Sequence, residues 1–137
     1  MMFNIRTLAT INILVQGLLL IAVLISVFLA RKGLLKKHCT VMRVAVVLQL
    51  FTIFSLMLPA MLGYLKHPGH EAFQIEMLIH HGLGALVVLI WIYINLAVSR
   101  RVRTAGPLTA YMWSAFAIWS AAFLLGLYLY FQLFVLQ

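Results

Sequence analysis

The sequence predicts an all-α protein, a four-helix transmembrane bundle running up-down-up-down with both termini outside. Three observations carry that expectation. Of the 137 residues, 66% are hydrophobic and only 9% are charged, with a mean hydropathy of +1.13; a soluble domain carries about a quarter charged residues. Four uncharged runs, 7–30, 44–65, 77–99 and 104–137, each reach the ~20 residues that span a bilayer at 1.5 Å per residue. The basic residues sit in short clusters between those runs, the pattern that fixes topology. Backbone groups in hydrocarbon must satisfy one another, so lone spanning runs are helices.

The first run, between Arg6 and Arg31, is longer than the about 7–15 residues of a secretory h-region. It ends in Phe28-Leu29-Ala30-Arg31-Lys32 without a small-residue cleavage site, and reads as a retained helix. Gly33 follows it as a stop. The next loop carries Arg31, Lys32, Lys36 and Lys37, with Arg43 beyond. The second run holds Pro59, which predicts a kink, and ends before Pro68-Gly69. The third opens after Glu71 and Glu76 and closes at Arg100, Arg101 and Arg103. Gly106-Pro107 precedes the fourth, where a proline suits the first turn. Positive-inside counting places the first and third loops in the cytoplasm and the second outside. The connections are short, and residues 1–137 read as one transmembrane domain.

Several function classes fall away. The net charge of +8 belongs to the loop clusters, so lipid is the expected partner and nucleic acid is not. Cys39 is alone, which excludes an intrachain disulfide. No run contains a carboxylate, lysine or arginine, which argues against a proton pump or ion-coupled transporter. No nucleophile–base pair, phosphate loop or nucleotide motif stands out, so enzyme activity is not expected. Asn12, Gln16, Gln49, Thr52, Ser55, Asn95, Ser114 and Ser120 are expected to hydrogen-bond between helices. Gly17, Gly63, Gly82, Gly84 and Gly126 are expected to permit close helix contacts, with Gly84 against a neighbour. Trp91, Trp113 and Trp119 fit either interface anchors or core.

Chemistry concentrates at one place. Four of the five histidines, His67, His70, His80 and His81, and both acidic residues lie between Lys66 and Gly82. Neutral imidazole binds zinc, copper and iron. His80 and His81 are adjacent and diverge by about 100° on a helix, so only one faces the bundle axis; His81 is the first candidate and His80 the last. His67 and His70 flank a Pro-Gly turn that can fold them back over the bundle mouth. Met57 and Met61 share a helical face at i, i+4, and their thioethers suit Cu(I). The candidate metal ligands are therefore His81, His67, His70, His80, Met57 and Met61. Haem b is the competing cofactor, held by His81 and by His67 or His70. His38 lies at the other membrane face, about 30 Å away, where it either forms a second, separate site or, as expected, sits among cationic neighbours at the headgroups.

Asn12 and Gly17, Arg31-Lys32-Gly33, Lys37-His38 with Met42, the His81-Gly82-Leu83-Gly84-Ala85 segment, and the stretches from Trp119 to Gly126 and Tyr128 to Tyr130 resemble a family of small four-helix membrane proteins, the CtaM/YozB-like family. His38 and His81 match its histidines by position, whereas Leu62-Gly63-Tyr64 and Pro107-Leu108-Thr109 lack two others. The resemblance implies an accessory or assembly protein of a respiratory haem–copper oxidase, in contact with its integral membrane subunits in a prokaryotic plasma membrane. The alternatives from the residues are a small b-type haem electron-transfer protein and a structural subunit without its own chemistry.

Overall fold

The computed structural model describes residues 5–65 and 73–136. The fold is all-α, as the sequence predicts, and four helices are long and apolar enough to cross a membrane. Helix α1 is Ile5–Arg31. The second span begins as α2, Leu35–Thr52, passes through a π-helical segment, Ile53–Met57, and continues as α3, Leu58–Leu65. Helix α4 is Gln74–Val98 and α5 is Leu108–Phe134. The chain forms two compact units, Met1–Ala72 with Leu133–Gln137, and Phe73–Gln132.

Helix α2 starts nine residues before the uncharged run at 44, taking Lys36, Lys37, His38, Cys39 and Arg43 into the helix. Hydropathy marks where lipid begins, while the hydrogen bonds of the preceding turn mark where a helix can restart. That turn is a Schellman closure of α1: Gly33 N–H donates to Ala30 O at 3.0 Å and Leu34 N–H to Leu29 O at 3.0 Å. Gly33 takes φ +76°, the left-handed conformation a Cβ opposes. The same closure ends α4, where Arg100 N–H donates to Ala97 O at 3.0 Å and Arg101 N–H to Leu96 O at 2.9 Å. There the left-handed position is Arg100, at φ 56°. Both basic loops are thus tight helix stops with their charges exposed. Lys32 leans back so that its Nζ sits 4.4 Å from the Phe28 ring centroid.

The kink expected at Pro59 takes the form of the π segment just before it. Proline has no N–H and its ring crowds the carbonyl four residues back, Ser55 O. A wider turn at Ile53–Met57, in which Leu58 N–H donates to Ile53 O, relieves that crowding within a continuous span.

Buried residues repeat every three and four positions. In the first unit Gln16, Leu19, Val23 and Ser26 mark α1, and Ala45, Gln49 and Thr52 mark α2. In the second, Val87 and Trp91 mark α4, and Ala115, Trp119, Ala122 and Leu129 mark α5. Such three- and four-residue spacing is the stripe that a helix buries against a neighbour along its length. Large apolar side chains fill the opposite faces: Leu14, Leu18, Ile21 and Phe28 on α1 are all more than half exposed. Outside lipid a patch of that extent would drive association.

Trp91 and Trp119 are core, meeting edge to face with centroids 5.1 Å apart. Trp113 is exposed. Four of the eight polar residues expected to bridge helices bond their own helix instead. Asn95 donates to Trp91 O at 2.8 Å, Ser114 to Ala110 O at 3.0 Å, Ser120 to Phe116 O at 2.9 Å and Thr52 to Leu48 O at 2.9 Å. The carbonyl one turn back is the nearest acceptor, and it needs no partner helix. Gly84 also departs from expectation. Among the described residues, a Cβ there would meet nothing within 4 Å.

Candidate functional site

The described part of the histidine cluster is His80 and His81, in the second turn of α4. Their backbone is helical, so their side chains diverge, and the rings stand perpendicular with centroids 5.2 Å apart. It is His80, the last candidate from sequence, that reaches α5. Its Nδ1 lies 2.9 Å from Ala122 O. A carbonyl only accepts, so Nδ1 carries the proton. One turn on, the ring lies against the backbone of Gly126, where a Cβ would come 2.7 Å from His80 Cε1 and 3.2 Å from Nδ1. Small residues at 122 and 126 on the buried stripe make room for an imidazole between α4 and α5.

His81 turns to its own helix, with Nδ1 2.8 Å from Met77 O. The same argument protonates Nδ1. Both rings are oriented by a backbone carbonyl at Nδ1, which leaves Nε2 as the other ring nitrogen. Metal-bound imidazoles share that arrangement. Gly82 and Gly84 leave open space beside His81, since a Cβ on either would touch nothing within 4 Å.

The donors assemble only in part. Among the described residues no group of three or more His, Cys, Asp or Glu side chains comes together. His67 and His70 lie outside the described residues. Met57 closes the π segment and Met61 sits in α3, both half-buried in the first unit. His80 is packed against Gly126, so His81 alone offers an oriented imidazole with space beside it, one position of a copper shell that needs further nitrogen or sulfur donors. Helix α5 has no histidine, so haem held between histidines on α4 and α5 does not fit this unit.

The other end of the molecule holds a pair that sequence reasoning missed. Ser26 is fully buried, at 0% exposure, and contacts His38 three ways. The Ser26 Oγ–His38 Nδ1 distance is 2.8 Å, Ser26 Oγ donates to His38 O at 3.2 Å, and His38 Nδ1 lies 3.0 Å from Ser26 O. This clasp joins the ends of α1 and α2 across the Gly33 turn. His38 is thus a structural partner of a buried serine, where sequence placed it among headgroup cations. The readable signal was a serine on the 16–19–23–26 stripe of α1 with a histidine in the first turns after the stop. Cys39 beside it is exposed.

No family model, curated protein or solved structure matches the chain, so its function rests on the geometry of its own residues.

Proposed function

We propose that this chain is an accessory or assembly protein of a respiratory haem–copper oxidase in a prokaryotic plasma membrane, with copper as its cargo. The observation behind the reading is the orientation of His81: its Nδ1–H is committed to Met77 O, which leaves Nε2 as the nitrogen to bind metal. His81 is the primary ligand, because its Nδ1 is tied within its own helix and the glycines beside it leave space. His67, His70, Met57 and Met61 are the further donors that the sequence offers for a soft shell. The positive-inside pattern puts this end of α4 outside, the side on which exported copper would be met. The resemblance to the CtaM/YozB-like family supplies the oxidase as partner.

A structural subunit without its own chemistry is the second reading, and His80 favours it. Its ring fills the space over Gly126 and bonds Ala122 O, which is what a packing residue does. A cell-based complementation separates the two. Cells carrying the His67, His70 and His81→Ala triple variant, with the protein present at normal levels, are expected to lose oxidase activity and to regain part of it with added copper. Full activity in that variant leaves the structural reading.

A further inference from the structure

Helix α2 carries a second stripe, on the side opposite its core. At about 100° per residue, Lys36, Arg43 and Val47 fall within an arc of about 40°. Ala45, Gln49 and Thr52, which are buried, centre on the reverse of the helix, about 180° away. Lys36 and Arg43 are exposed. Val47 is 64% exposed, and Phe51, one turn further on, 68%. The stripe is basic near the Gly33 turn and apolar beyond. Arg43 is its unusual member, because it lies inside the second candidate span, Leu35–Gly63. The Ser26–His38 clasp sets residues 26 and 38 side by side. In the antiparallel hairpin Arg43 then comes level with Ile21, ten residues before Arg31 and about 15 Å deeper. An ionisable side chain within a span ordinarily faces the bundle interior; Arg43 is on the opposite face.

The chain supplies no counter-charge at this level. Its two acidic residues are Glu71 and Glu76, and the positive-inside pattern puts both at the outer end. Side chains on a helix tilt toward its N-terminus, which for α2 is the cytoplasmic surface. Arg43 therefore rises along the stripe toward Lys36, seven residues and about 10.5 Å up the axis, as long basic side chains do near a membrane surface. The two cations converge at the depth of the headgroup phosphates. A guanidinium fork matches phosphate oxygens in pairs. Thr40 lies between them, but its hydroxyl already donates to Lys36 O at 3.0 Å. Deeper, the stripe turns apolar at Val47 and Phe51, a surface for acyl chains rather than for an acidic soluble segment. A zwitterionic lipid brings its own ammonium group to two cations, whereas an anionic lipid does not. We propose that Lys36 and Arg43 hold the phosphate of one anionic phospholipid of the cytoplasmic leaflet, with its acyl chains along Val47 and Phe51.

Native mass spectrometry of the full chain tests this, with the protein released from micelles that contain equal amounts of phosphatidylglycerol and phosphatidylcholine of the same acyl chains. The unmodified protein should retain one phosphatidylglycerol in preference to phosphatidylcholine. Arg43→Gln and Lys36→Gln should each lower that retention about fivefold, the effect of one basic group at an anionic surface. Arg103→Gln removes an exposed charge from the other basic loop and should leave retention unchanged. Equal retention of the two lipids by the unmodified protein overturns the proposal. So does an equal loss in Arg43→Gln and Arg103→Gln, since net charge alone then explains it. Unchanged lipid retention in Arg43→Gln, with loss of a copurifying acidic membrane protein, gives the stripe to a protein helix and also overturns it. Lys36→Gln lies at the exposed start of α2, so it carries the test if Arg43→Gln does not fold; unchanged retention there is equally fatal.

Discussion

The imidazole of His80 occupies the space that a side chain at Gly126 would fill, with Cε1 2.7 Å from the position of a Cβ there. The ring is anchored by Nδ1–H donation to Ala122 O at 2.9 Å, one turn before that glycine. Helices α4 and α5 are therefore matched at this level by a large residue on one and two small residues on the other. Gly126→Ala should displace the ring and break its bond, costing about 1–3 kcal/mol from overpacking and an unsatisfied buried donor. Chemical denaturation in detergent measures it. In a His80→Ala background the same substitution should cost much less, giving a clear coupling in the double-mutant cycle.

The Ser26–His38 clasp makes a second prediction. Ser26→Ala removes the hydroxyl but keeps Ser26 O, so His38 retains one of its contacts. The loss should be about 1 kcal/mol, in the range of hydrogen bonds between membrane helices, and read as a lower unfolding midpoint. Ser26→Val, larger at a site with 0% exposure, should cost more.

The two Schellman stops differ in the residue at the left-handed position, and the difference is measurable. Gly33→Ala places a Cβ at φ +76° and should destabilise by about 1 kcal/mol. Arg100→Gly removes a Cβ at φ 56° and should stabilise by up to about 1 kcal/mol. Gly84→Ala should change the midpoint little, because a Cβ there meets nothing within 4 Å.

Topology is tested by labelling in a Cys39→Ser background, since Cys39 is itself exposed. A membrane-impermeant thiol reagent should modify a cysteine at Gly69 from outside, while cysteines at Lys36 or Arg101 should react only after the membrane is opened. Outside labelling at Lys36 and none at Gly69 reverses the arrangement.

The fold was legible because hydrocarbon leaves few choices. Once four long uncharged runs exist, helices follow from backbone hydrogen bonding alone, and Gly33 and Pro107 punctuate them where expected. The start of α2 was less legible, because charged residues such as Lys36 and Lys37 are compatible with helix and invisible to hydropathy. The site was legible as residue types but not as directions. That at most one of His80 and His81 would face the bundle axis, the other turning to a neighbouring helix or the headgroups, followed from their 100° divergence. Which one depended on α5, where Ala122 and Gly126 open a notch for His80, and no pattern within α4 encodes that. Ser26 escaped notice because a single serine in an apolar run has an acceptor one turn back on its own helix. The three contacts with His38 arise only when the Gly33 turn folds α2 against α1.

The central claim is that imidazole Nε2 donors at the end of α4 bind copper, with His81 foremost. Cu(I) titration of the purified protein in detergent, in competition with a chromogenic chelator, measures that claim most directly. The account predicts one bound Cu(I) per chain and at least tenfold weaker binding in His81→Ala, about the effect of disturbing a metal's ligand shell. It predicts a smaller loss in His80→Ala once the fold is shown to be intact. Cu(I) affinity unchanged in the His67, His70 and His81→Ala triple variant would contradict it.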